Sequence, residues 1–256
     1  MERIKFSVEI PPKVLKVNPN LLTFLDYDFV IASMYLESEE YKDYYLNNQR
    51  PGTILDNGAF ETGTAIDVGV YLRIMDELRP ATIVISDVRR DCEKTLLKAN
   101  EFFDRLPPGF DTNRLMGALQ GNSIEDYEKL LGVYTERGVR LIGIPYGAID
   151  RVNFIKQHPE TKFHVLGLQY FPELLSLRLL ENVVSVDTSL PVKFAANRKF
   201  LARCNCLTIE QRPDFDKGFD TVQSMYLFAN LNFIHKICDR SNNFSVMCQE
   251  DVNVRV

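Results

Sequence analysis

The chain has 256 residues, 45% of them hydrophobic, enough to bury one large core or two modest ones. A formal net charge of −5 excludes a surface that is basic all over, but it leaves room for a local basic stripe that grips phosphate. Five unevenly spaced cysteines (Cys92, Cys204, Cys206, Cys238, Cys248) in a chain of this size argue against a disulfide framework and for a reducing, cytoplasmic setting.

The opening MERIKFSVEI alternates charged and apolar residues and lacks the long apolar run of a signal peptide or membrane span, so neither export nor a membrane partner is expected. From there, short β-branched runs alternate with longer runs of helical period. Strands are expected at IKFSVEI (4–10), DFVIASM (28–34), TILD (53–56), TIVISD (82–87), LMGALQ (115–120), LIGI (141–144), FHVLGL (163–168) and VVSVD (183–187). Between them SEEYKDYYLNNQ, AIDVGVYLRIMDELRP, RDCEKTLLKANEFFDRLP, SIEDYEKLLGVYTERG, DRVNFIKQH and PELLSLRLLEN place apolar residues three and four apart, as amphipathic helices do.

Successive strands begin about 20 to 33 residues apart, the length of one strand plus its crossover helix. Eight such units imply a closed (β/α)8 barrel over residues 1–203, with a doubly wound open sheet as the alternative. Residues 204–256 break the pattern and are expected to form an appendage packed on the barrel, with a helix from about 219 to 238 and a fraying polar end.

In a barrel of this kind, chemistry gathers where the strands end. Those ends carry Ser33, Asp56, Asp87, Gln120, Pro145 with Tyr146, Gly167 with Gln169, and Asp187. Each has a plainer reading. Asp56 opens Asp-Asn-Gly, a turn signal. Asp87 could cap the next helix, although Asp91 is also available. Gln120 could be a loop residue. Asp187 is harder to explain away, because Thr188 and Ser189 offer N-caps and Pro191 suits a first helical turn. Carboxylates converging on one mouth suit metal binding or acid–base and nucleophilic chemistry at an anomeric carbon. Spacing does not choose between them.

LDNGAFE (55–61), ALQGN (118–122), IGIPYG (142–147), VLGLQ (165–169) and VDTSLPVK (186–193) resemble, in order, motifs of the tRNA-guanine transglycosylase superfamily. Asn57, Ala59 and Glu61 depart from its first motif. The likeness spans roughly residues 28 to 235. The wording Asp-Asn-Gly-Ala-Phe, the later RPDF (212–215) and the short chain look closer to phage and bacterial relatives that place 7-deazaguanines in DNA; a phage-encoded chain would act in the host cytoplasm.

The resemblance implies that Asp187 attacks the sugar C1′, expelling guanine, and that Asp56 is the general acid and base. Asp87 and Gln120 would read the purine edge, with Asn57 and Gly167 in the same pocket. Backbone groups around Gly143, Ile144 and Pro145 would assist, while Phe60 and Leu166 would sandwich the ring. The base would have to leave its stack to enter a barrel mouth.

The cations Lys193, Arg198, Lys199 and Arg203 follow Asp187 with no acid among them. They are candidates to hold the neighbouring phosphates, a solvated helix face being the plainer reading.

The family's zinc site, Cys-x-Cys-x2-Cys with a later His, is degenerate here. Cys204 and Cys206 remain, but Ile209 and Ala229 stand at the other two positions. A rearranged set of Cys204, Cys206, His235 and Cys238 could hold structural zinc, plain buried thiols being commoner. His158 and His164 have no evident partner in the sequence and read as surface or core residues.

The resemblance implies that the chemistry requires no cofactor. The expected partners are DNA, or tRNA in the alternative, and a 7-deazaguanine base, with a homodimer or partner subunit compatible with the family. Competing readings are a non-catalytic nucleic-acid-binding subunit and a barrel glycosidase or metal-dependent hydrolase using the same acids.

Overall fold

A computed structural model of the chain describes residues 2–147, 149–203 and 218–242, Arg203 by its backbone alone. Eight short strands form a single sheet: β1 (Lys5–Ser7), β2 (Phe29–Ile31), β3 (Ile54–Asp56), β4 (Thr82–Val84), β5 (Leu115–Ala118), β6 (Leu141–Pro145), β7 (Lys162–Leu166) and β8 (Val183–Asp187). Their order is β1-β8-β7-β6-β5-β4-β3-β2, and every pairing is parallel.

The end strands β1 and β2 meet at a seam bridged by Asp26. Its backbone N–H donates to the Phe6 carbonyl (2.9 Å), and its Oδ2 accepts from the Phe6 N–H (2.9 Å). The result is a nearly closed (β/α)8 barrel, the architecture expected from the eight repeated units.

Alternation along each strand divides the core in two. Val30, Leu55, Ile83, Leu115, Ile142, Ile144, Phe163, Val165 and Val186 belong to the large cluster that includes buried side chains of the surrounding helices. Phe29, Ile31, Ile54, Val84, Met116 and Ala118, with Leu141 and Leu166 against them, form a separate cluster. Several of these line the cavity at the strands' C-terminal ends, which places this cluster inside the barrel.

The helices are α1 (Pro12–Val17), α2 (Ala32–Glu37), α3 (Glu39–Asn48), α4 (Ala59–Thr62), α5 (Val68–Leu78), α6 (Cys92–Arg105), α7 (Ile124–Glu136), α8 (Arg151–Gln157), α9 (Phe171–Leu177), α10 (Leu190–Ala196) and α11 (Thr221–Cys238). Side-chain caps satisfy the otherwise orphaned N–H groups at several starts: Asp67 for α5, Asp91 for α6, Ser123 for α7, Asp150 for α8 and a capping box of Asp220 with Gln223 for α11. None of these α-helices is long and apolar enough to cross a membrane.

Two expectations need correction. The second strand stops at Ile31, and residues 32–34 open α2, so Ser33 lies in a helical turn, not at a strand end. Residues 12–24, for which no element was expected, form α1 and a 3-10 turn (Pro19–Phe24), each with proline in its first turn, where a missing N–H costs nothing.

The C-terminal helix α11 packs on α10 and β1. Asn230, 1% exposed, accepts from Leu201 N–H (2.7 Å) and donates to the carbonyls of Lys199 (3.1 Å) and Pro191 (3.3 Å). It thereby fixes both ends of the segment that follows Asp187.

Candidate active site

The strand ends surround a cavity of about 370 Å³, within the usual range for a small-molecule site. Five carboxyl side chains line it, Glu9, Asp56, Glu61, Asp87 and Asp187, together with Gln120, Gln169 and the cations Arg89, Arg90 and Lys193. Phe29, Phe60, Tyr146 and Leu166 supply apolar wall.

Asp56 ends β3 and turns the chain. Its Oδ1 accepts the Gly58 N–H (2.8 Å), so turn chemistry and presentation to the mouth coexist in one residue. Gly58 sits at φ 79°, a left-handed conformation that costs other residues steric strain. A Cβ there would also meet Ser33 Oγ at 3.0 Å. Beneath this turn, Tyr71 donates to the carbonyls of Leu55 (2.8 Å) and Val84 (2.9 Å), tying β3 to β4. Burial, and after it the neighbouring Glu61 carboxylate, push the Asp56 carboxyl well above the ordinary carboxylate range.

Asp87 follows β4 and is 3% exposed. Asp91 caps α6, so Asp87 is not the cap. Its Oδ1 accepts from Asn57 Nδ2 (2.6 Å) and its Oδ2 from Gln120 Nε2 (2.5 Å). Desolvation outweighs these bonds and raises the carboxyl from 3.8 to about 6. The Gln120 carbonyl oxygen accepts the Arg90 N–H (2.9 Å), which fixes the amide orientation and turns its NH2 group toward Asp87.

Asp187 ends β8, and its carboxylate is not used as a cap. Thr188 Oγ1 accepts the Leu190 N–H instead (3.1 Å). Asp187 Oδ1 accepts from the Gly167 N–H (3.0 Å) and lies 3.1 Å from His164 Nε2. Gly167 is at φ 62°, which lets the turn after β7 direct its amide at Asp187.

The expected residues divide by position. Asp56, Phe60, Asp87, Gln120, Pro145, Leu166, Gly167, Asp187 and Lys193 all line the cavity. Asn57 does not; it is 1% exposed and acts from behind, donating to Asp87 and to the Ile85 carbonyl (2.8 Å). Ile144 packs in the helix-facing cluster, and its carbonyl accepts from Arg151 (3.4 Å). A Cβ on Gly143 would lie 2.7 Å from Leu166 Cδ1, so Leu166 occupies the space above it. The Gly143 carbonyl accepts the Leu119 N–H (2.9 Å).

Of the four cations after β8, Lys193 reaches the mouth. Arg198 is paired with Asp220 (2.7 Å), Lys199 is exposed, and the Arg203 side chain lies outside the described residues. Arg89 and Arg90, not singled out in the sequence, line the mouth, with the Arg89 guanidinium 4.6 Å from the Phe60 ring centre. Their signal was the Arg-Arg pair one residue beyond Asp87, after Val88.

Cys204 and Cys206 also lie outside the described residues. His235 does not fit a metal ligand in this arrangement: Nε2 is 2.8 Å from Arg3 Nη1, and Nδ1 is 3.2 Å from the Phe24 carbonyl. Cys238 is wholly buried. Among the described residues no three His, Cys, Asp or Glu side chains are grouped to hold a metal. His158, read as a surface or core residue, pairs with Glu128 (3.0 Å). His164, read the same way, is buried and lies beside Asp187 and Ser185, a neighbourhood the sequence did not disclose.

No protein-family model matches the chain, and no curated protein matches it. Fold and site therefore define a class: an α/β barrel whose strand ends converge in an acid-lined mouth, an architecture generally associated with enzymatic chemistry.

Proposed function

We propose that the protein is a base-exchange transglycosylase that replaces guanine in DNA with a 7-deazaguanine through a covalent Asp187–glycosyl intermediate. The observation that carries this reading is the contrast between two carboxyl groups in one cavity. Asp56 is driven toward its protonated form by burial, whereas Asp187 accepts on Oδ1 and keeps a second oxygen for bonding.

In the first half-reaction Asp187 forms a bond to C1′ as the bond from C1′ to the base breaks. The bonding pair departs with guanine, which takes its proton from Asp56. In the second, Asp56, now ionised, removes the proton from the incoming 7-deazaguanine, whose nitrogen attacks C1′ and returns the pair to the Asp187 carboxylate.

Asp87 retains lone pairs able to accept from the N–H groups of guanine, and Gln120 retains one N–H for its carbonyl. Phe60 and Leu166 offer apolar walls to the ring, and Arg89, Arg90 and Lys193 supply positive charge for flanking phosphates. DNA is favoured over tRNA because the wording Asp-Asn-Gly-Ala-Phe and RPDF looks closer to the DNA-modifying members of the superfamily that the motifs resemble.

DNA and tRNA carrying labelled guanine, incubated with the protein and a set of 7-deazaguanine bases, test the reading. Release from DNA that Asp187→Asn abolishes is expected. Release from tRNA alone would reassign the substrate, and full activity in the variant would remove Asp187 as nucleophile.

A further inference from the structure

We propose that His164 is the positioning residue of Asp187. Ser185 holds it in the tautomer that carries the proton on Nε2, and it commits Asp187 Oδ1 to hydrogen bonding so that Oδ2 is the oxygen that joins the sugar. The identity of the sugar carbon as electrophile rests on the transglycosylase reading. The contacts of His164 with Ser185 and Asp187 rest on geometry; their direction follows for an ionised Asp187 carboxylate and a neutral imidazole.

That geometry is set by an irregularity between β7 and β8. Phe163 pairs with Val183, but His164 pairs with Ser185, so Val184 is an extra residue in the ladder. Such a bulge redirects the side chains that follow it. Here it sets His164 beside Ser185, with Asp187 two residues on, on the same face of β8.

His164 Nδ1 is 2.8 Å from Ser185 Oγ, and Nε2 is 3.1 Å from Asp187 Oδ1. An ionised carboxylate can only accept, so Nε2 donates. In a neutral imidazole, Nδ1 must then accept, and the Ser185 hydroxyl, which also lies in hydrogen-bond reach of the Tyr27 hydroxyl, turns its proton to Nδ1 while Tyr27 donates to the Val186 carbonyl (2.8 Å). The ring is 0% exposed, lies parallel to Phe29 (centroids 6.0 Å apart, 8° between planes) and meets Tyr27 at a tilt of 64°. Rotating it would disrupt packing as well as both hydrogen bonds.

The second donor on Asp187, Gly167 N–H, also points at Oδ1. Two donors on one oxygen restrain rotation of the carboxylate. Among the described residues no hydrogen bond engages Oδ2, and the side chain faces the cavity. Once Oδ2 has bonded to C1′, Oδ1 is the ester carbonyl oxygen. As the incoming base displaces the ester and the bonding pair returns to the carboxylate, negative charge grows on Oδ1, where two donors are already in place.

Two measurements test this. Histidine-selective 15N NMR reads the tautomer without substrate. One of the three histidines, assigned by its loss in His164→Gln, is expected to be a neutral imidazole with its proton on Nε2, and Ser185→Ala is expected to shift its Nδ1 resonance. A proton on Nδ1 would overturn the proposal.

The second measurement is base exchange. His164→Gln, whose amide nitrogen reaches the position of Nε2, is expected to keep kcat within about 10-fold of wild type. His164→Phe, which keeps the ring stack without the donor, is expected to lose about 10- to 100-fold in kcat at unchanged KM, the worth of one hydrogen bond to a charged group. Wild-type kcat in a folded His164→Phe protein would overturn the proposal. If that variant does not fold, Ser185→Ala takes its place, with a several-fold loss of kcat expected and an unchanged kcat contradicting the proposal. A wild type that releases no guanine from any nucleic acid refutes the transglycosylase reading, and the tautomer measurement then decides the role of His164.

Discussion

Asp87→Asn isolates what a buried carboxyl at the barrel mouth does to stability. Burial raises Asp87 from 3.8 to about 6, against the opposing hydrogen bonds from Asn57 and Gln120. The folded state therefore holds a proton over a range in which the unfolded chain has released it. Stability contributed by this group is fully present below about pH 4, falls as pH rises to about 6, and is level above that. Roughly two pH units at about 1.4 kcal/mol each give about 3 kcal/mol.

The asparagine also turns an amide donor toward two existing donors, at a cost of about 1–3 kcal/mol that does not depend on pH. Urea unfolding of both proteins from pH 4 to 8 separates the two effects. The stability of wild type relative to the variant is expected to shrink by about 3 kcal/mol between pH 4 and 6 and then stay constant. A flat difference would refute the claim that desolvation governs Asp87. A difference that grows with pH would mean the two amide donors outweigh burial.

Gly58→Ala forces an L side chain into a left-handed turn against Ser33 and is expected to cost about 1–2 kcal/mol in urea unfolding; unchanged stability would contradict the close approach. Lys193→Ala is expected to weaken nucleic-acid binding and lower the slope of log affinity against log salt by about 1. Arg198→Ala, which breaks an exposed pair with Asp220, is expected to leave binding within about threefold, and the reverse ranking would restore the grip first read from the sequence. The rate of guanine release is expected to rise with pH through about 6 as Asp87 ionises and becomes able to accept from the base; a profile flat from pH 5 to 7 would count against its role as a reader.

The barrel was legible because a parallel strand covered on both faces is a continuous apolar run, and eight such runs stand out between amphipathic helices. The mouth acids were legible for the same reason: Asp56, Asp87 and Asp187 each interrupt or end an apolar run. Ser33 misled because β-branched and apolar residues pass straight from β2 into α2 with no turn signal between them. Asn57 and Ile144 sit within the quoted motifs, but motif membership does not say which side of the strand a residue faces.

His164 was illegible for a deeper reason. Its two partners come from the neighbouring strand, and a bulge at Phe163–His164 selects them. No pattern within β7 encodes that register. The basic run after Asp187 was legible as charge, but which cation reaches the mouth depends on how Asn230 and Asp220 of the C-terminal segment fasten α10 and its exit.

The covalent intermediate can be caught by intact-mass spectrometry. The protein is quenched during reaction with guanine-containing DNA in the absence of an acceptor base, then digested to map any adduct. A glycosyl adduct is expected on Asp187, absent from Asp187→Asn and discharged when a 7-deazaguanine is added. Base exchange by a chain that stays unmodified throughout, or an adduct on any other residue, would contradict a covalent intermediate on Asp187.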